Sequence, residues 1–99
     1  MIKHIVMMKL KPAAESLIKD RLELLKNQLE NLKNHIDSLN SMEVGLNFST
    51  RPTAMDIVLV STFKDEHALE AYRVHPEHQK VLAYIKEVVD EARVVDYWF

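Results

Sequence analysis

The sequence predicts a small α+β fold: a ferredoxin-like βαββαβ chain whose four strands form an antiparallel sheet with helices on one face. Three observations carry this. Four segments show the two-residue alternation or β-branched enrichment of strands. Two regions between them show apolar residues at helical spacing. Their order along the chain is strand, helix, strand, strand, helix, strand. The length of 99 residues suits one domain, 1–99.

The first strand spans Ile2 to Leu10. Ile5 and Met7 fall on one side; Ile2, His4, Val6, Met8 and Leu10 fall on the other. Both faces are apolar. Pro12 ends the ladder and can open a helix. From Ala13 to about Asn34, Ile18, Leu22, Leu25, Leu29, Leu32 and, just beyond, Ile36 draw one stripe. Some 22 residues at 1.5 Å each give a helix of about 33 Å. The stripe could serve as a coiled-coil seam, but it lasts under three heptads, and packing on a sheet is the preferred reading.

Met42 to Ser49 alternates again, with Met42, Val44, Leu46 and Phe48 against Glu43, Gly45, Asn47 and Ser49. Arg51-Pro52-Thr53 reads as a turn. Met55 to Phe63 is a third strand, rich in β-branched residues. Asp65 and Glu66 favour a helix start, and a short helix over about 65–74 meets Pro76. Pro76 opens a second helical segment with Val81, Leu82, Ile85, Val88 and Val89 as its apolar positions. Ala92 to Phe99 closes the sheet.

Helices can cover one face of such a sheet, and the other should then be polar. Here the first strand carries Ile5 and Met7 on one side and Ile2, Val6 and Met8 on the other, and the third carries Ile57, Leu59 and Phe63 against Val58 and Val60, so neither face is polar. An apolar sheet face left open exceeds what soluble monomers tolerate. The expected cover is the same face of a second copy, giving a homodimer. Cover by long side chains and loops of the same chain is the competing reading.

Composition excludes several classes of function. The chain is 47% hydrophobic and 28% charged, which is globular rather than disordered. A net charge of -2 gives no electrostatic case for nucleic acid. There are no cysteines, hence no thiolate chemistry, and a reducing compartment is expected. Lys9 and Lys11 interrupt the first apolar run, so no signal peptide is read there, and no segment approaches a membrane span. The expectation is a cytoplasmic protein with no membrane partner.

The concentrated polar signal is Tyr72-Arg73-Val74-His75-Pro76-Glu77-His78. A histidine can take a proton from a carbon beside a carbonyl near neutral pH. A tyrosine hydroxyl can donate to the developing enolate oxygen. Tyr72 and His78 are six residues apart, so one unbroken helix would not bring them together, but a break at Pro76 could. The bland readings are a helix cap for His75, a backbone contact for His78, a partly buried aromatic for Tyr72 and a satisfied core histidine for His4. His75 and His78 also have H-x-x-H spacing, but Pro76 puts His75 at or before the helix start and no carboxylate cluster completes a metal site. No cofactor or metal is expected. His35 and His67 read as solvated, and the methionines as core filler.

The stretch from Phe63 to His78, with F-x-D followed by Y-x-x-H-P-x-H, resembles the signature of the stress-responsive A/B barrel (Dabb) family. His4, Val44-Gly45-Leu46-Asn47 and Val94-Val95-Asp96-Tyr97 fit the same pattern, so the resemblance spans essentially the whole chain. It implies a dimeric α+β barrel. The family includes plant stress-associated proteins, a plant polyketide cyclase acting by aldol condensation, and many bacterial members without known activity. In the cyclase-like members the motif tyrosine and second motif histidine line a pocket between sheet and helices. By that resemblance Tyr72, His78 and the first-strand His4 are the candidate catalytic residues, with His75 structural. The expected function is binding of a small, mostly apolar molecule, with cyclase- or lyase-like acid/base chemistry. A non-enzymatic stress-associated interaction protein is the alternative. A cofactor-free monooxygenase of the wider barrel group rests on analogy of fold alone.

Overall fold

A computed structural model describes every residue, Met1–Phe99. The elements are β1 (Ile2–Leu10), α1 (Glu15–Asn31), a 3-10 turn (Leu32–Asn34), β2 (Ser41–Leu46), β3 (Ile57–Phe63), α2 (Glu66–Arg73), α3 (Pro76–Val88) and β4 (Val89–Trp98). The strands form one antiparallel sheet in the order β2-β3-β1-β4. This is the ferredoxin-like arrangement read from the sequence. No helix is long and apolar enough to cross a membrane.

Local chemistry sets the helix boundaries. The apolar stripe of α1 packs against β2 and α3, so its role is sheet packing. Leu25 and Leu29 are fully buried, Leu32 and Ile36 nearly so, while Ile18 and Leu22 pack at the edge of the core. Asp65 caps α2: its Oδ1 accepts from the Ala68 backbone N–H at 2.8 Å. His75 caps α3, its Nδ1 accepting from the Glu77 N–H at 3.1 Å, and Pro76 fills the first turn where a missing N–H costs nothing.

Several boundaries differ from those read in the sequence. The first helix runs Glu15–Asn31 rather than from Ala13 to about Asn34, with Leu32–Asn34 forming the 3-10 turn. The second strand stops at Leu46 rather than Ser49, and the third begins at Ile57 rather than Met55. Asn47 folds back on the loop instead, its Oδ1 accepting from Ser49 N–H and its Nδ2 donating to Ser49 O. That side-chain turn takes Phe48 out of the ladder, leaving it 98% exposed. The last strand starts earlier, at Val89 instead of Ala92. No glycine or proline separates it from α3, and the register shifts between Lys9, paired with Glu91, and Leu10, paired with Val89, so that Asp90 of β4 is left out of the pairing.

The two faces of the sheet differ sharply. On the helix side Ile2, Met8, Leu10, Ile57, Leu59 and Phe63 are buried in the core. On the other side Ile5, Val58 and Val60 are half-buried, and Met7, Val95 and Tyr97 are exposed. Nothing in the chain covers this second face.

The stripe of α1 carries much of the core, so truncating its centre should be costly. Leu25→Ala should lower stability by about 2–5 kcal/mol, read from denaturant unfolding. A loss under about 0.5 kcal/mol would contradict the packing described.

Candidate functional site

The site begins with register. Met42, Ser61, His4 and Asp96 are successive cross-strand partners from β2 to β4. The Asp96 carboxylate Oδ1 is hydrogen-bonded to His4 Nδ1. On the other side of His4, Ser61 is fully buried and its Oγ donates to the His4 carbonyl at 3.2 Å. Against this row lie two aromatic rings. Phe63 and Tyr72 stand 6.3 and 6.5 Å from the His4 ring, both edge-on, and 5.0 Å from each other.

The break at Pro76 does what one continuous helix could not. Tyr72 lies in the last turn of α2 and His78 in the first turn of α3. The His75 N–H closes the turn on the Tyr72 carbonyl at 3.1 Å. The Arg73 carbonyl, freed at the end of α2, takes His78 Nδ1 at 3.0 Å and Gln79 Nε2 at 2.9 Å. As a result the His78 ring stacks on Tyr72, with centroids 4.2 Å apart and planes 30° apart. His4, Tyr72 and His78 are thus brought together. His75 lies outside the group, its ring nitrogen engaged in the cap. His35 and His67 are exposed. No cluster of three or more metal-ligating side chains is present.

The three residues line a cavity of about 340 Å³ between sheet and helices. Apart from His4, Tyr72, Arg73, His78 and Asp96 the lining residues are apolar, among them Val6, Leu29, Leu59, Leu82 and Ile85, so polar contacts there are few. A second cavity of about 320 Å³ sits at one end of the uncovered sheet face, between Met7, Phe48 and Met55. It has no ionisable side chain and offers no chemistry. The helix-side cavity is the candidate site.

Its electrostatics follow from burial. The Tyr72 phenol, 2% exposed, is pushed above its ordinary value by desolvation and is protonated at neutral pH. No group of the chain bonds its hydroxyl. Nor is it among the sealed, unpartnered side-chain polar atoms, which are Gln28 Oε1 and Ser38 Oγ. Tyr72 lines the cavity, and its hydroxyl is free to donate. Burial pushes His78 below its ordinary value; the Arg73 carbonyl bond opposes this, while His4, Arg73 and His75 add to it. His78 is therefore neutral at pH 7. A carbonyl can only accept, so His78 Nδ1 carries the proton and Nε2 a lone pair. The cavity thus offers a phenol donor and imidazole acceptors within apolar walls.

Asp96 is the site residue that sequence reasoning missed. Its signal was faint: alternation in the last strand puts it with Val94 and Trp98, but pairing it with His4, 92 positions away, requires the register.

Comparison with known proteins follows the geometry. No curated protein sequence matches the chain significantly. A dimeric protein of unknown function and ferredoxin-like fold from Bacteroides fragilis superposes with a TM-score of 0.88 at 30% identity, covering 99% of this chain and 95% of that one. A dimeric ferredoxin-like protein of unknown function from Jannaschia gives a TM-score of 0.78 at 27% identity, with 99% and 98% covered. The hydroxynitrile lyase of Passiflora edulis shares the fold, with a TM-score of 0.82 at 15% identity over 97% of this chain and 90% of that one. Residues 2–99 match the family described as the Stress Responsive A/B Barrel Domain, and the chain belongs to that family.

Proposed function

We propose that the chain binds a small, mostly apolar molecule bearing a carbonyl or hydroxyl in the cavity of His4, Tyr72 and His78, and moves a proton on the carbon beside that carbonyl. One observation carries this reading: a nearly buried tyrosine whose hydroxyl meets no group of the chain lines an apolar cavity together with two imidazoles, one stacked on its ring and one edge-on to it. A hydroxyl that no group of the chain bonds is free to donate to a ligand oxygen. In the reaction a C–H bond breaks, an imidazole nitrogen takes the proton, and the electron pair moves to the carbonyl oxygen. Tyr72 donates a hydrogen bond to that oxygen as charge develops. His78, neutral, accepts from a hydroxyl on the same molecule. The fold shared with a hydroxynitrile lyase supports cyclase- or lyase-like chemistry by analogy only.

The working form in this reading is a homodimer joined through the open sheet face, each chain acting as one domain. The apolar character of Ile5, Met7, Val58, Val60 and Val95 supports it, as do the dimeric relatives of this fold. The absence of cysteine supports a cytoplasmic setting.

Two experiments test these proposals. In D₂O, the methyl protons of 4′-hydroxyacetophenone should exchange faster with the protein than in buffer, followed by proton NMR. Tyr72→Phe and His78→Gln should each slow that exchange by at least about tenfold. If the ketone neither binds nor exchanges, the acid/base reading is wrong and an interaction protein is left. Light scattering at micromolar concentration should report twice the 11.5 kDa chain mass. Val60→Glu, which places a charge on the open face, should shift the protein toward that single mass. A stable wild-type monomer would rule out the dimer.

A further inference from the structure

One wall of the cavity is exposed. β4 forms it, and β4 is an edge strand paired only with β1. Ala92 and Val94 of this strand line the cavity, and Val94 is 61% exposed. The other edge of the sheet is β2, paired only with β3. The loop that follows β2 carries Phe48, 98% exposed, so its own chain buries almost none of it. An exposed aromatic ring and an exposed apolar wall thus stand at the two edges of one sheet.

We propose that the partner's Phe48 covers Val94 in the homodimer, so that each cavity is completed by the other chain. This rests on the homodimer reading above and adds the direction of its two-fold axis. An axis running across the strands lays β2 over the partner's β2 and leaves both edges unpaired. An axis running along the strands keeps each strand's direction and carries β2 to the partner's β4 edge. Three antiparallel pairings separate β2 from β4 in one chain, so the two run in opposite directions. The edges therefore meet antiparallel, as every pair in this sheet does, and no strand is left with a free row of N–H and C=O groups. Leu46, Ile57, Met8 and Ala92 form one row across the sheet. A closing barrel staggers such rows by a few residues. Phe48, two residues beyond Leu46, then lies beside Val94, the large apolar residue exposed in the cavity wall. A ring there shields the cavity from water and offers a bound aromatic ligand a further contact.

The chain has no cysteine, so introduced thiols report this contact directly. Phe48→Cys and Val94→Cys proteins, unfolded together, refolded and mildly oxidised, should give a disulfide-linked pair on a non-reducing gel. Either variant alone should give far less. Phe48→Ala should keep twice the 11.5 kDa chain mass in light scattering. It should weaken binding of 4′-hydroxyacetophenone by at least about threefold. A mixture that does not cross-link, when the wild-type protein is a dimer, overturns the contact. Ketone binding unchanged by Phe48→Ala overturns its part in the site. A wild-type monomer overturns the homodimer reading and this inference with it. A dimer that cross-links but binds no ketone keeps the contact and overturns the ligand reading instead.

Discussion

The central strands β1 and β3 carry apolar side chains on both faces, and three helices can lie against only one of them. Much else follows from that imbalance. On the helix side, Leu25 and Leu29 meet Met8, Leu59 and Phe63 in one core. On the other side Met7, Val95 and Tyr97 stay exposed in the single chain. An uncovered apolar face of this kind calls for a partner, and a second copy meets the need by symmetry. Gly45 shows how closely the open face is fitted even within one chain: a Cβ there would meet Val58 Cγ1 at 3.3 Å. The open apolar face and the cavity are thus consequences of one sheet used differently on its two sides.

The helix side also explains why the cavity exists. A core packed throughout with large side chains would leave no space. Here the row that crosses the sheet carries Ser61 beside His4, and the second helical region is broken in two. The break brings Tyr72 and His78 face to face over the sheet, and the Arg73 carbonyl and the His75 cap hold the turn. The polar rings of His4, Tyr72 and His78 thus lie together beside the broken helix, at the cavity wall. Such departures from an all-apolar core are expected where a fold gives up stability for function.

Much of this was legible beforehand, for identifiable reasons. Strand alternation and the leucine stripe depend on local spacing, and so β1, α1 and the burial of Leu25 could be read directly. Pro76 marks a break that permits Tyr72 and His78 to meet, but proline alone does not dictate it, and the pairing of these two residues comes from the family resemblance. Phe48 misled because its alternation with Leu46 is indistinguishable from that of a strand; a side-chain turn at Asn47 overrides it. The early start of β4 escaped because no turn residue marks it. Asp96 escaped for a deeper reason. Its importance lies in a pairing between the two ends of the chain, and no pattern along the sequence encodes which residue of one strand faces which residue of another.

The account's central claim is that the helix-side cavity is a ligand site organised around the Tyr72 hydroxyl. A crystal structure of the protein grown with 4′-hydroxyacetophenone tests it most directly. The account predicts the aromatic ring between Leu29, Leu59 and Ile85, with the carbonyl oxygen within hydrogen-bonding distance of Tyr72 Oη and an imidazole nitrogen near the methyl carbon. A ketone bound only on the open sheet face, or a cavity closed by its own side chains with Tyr72 bonded inside the protein, would contradict it.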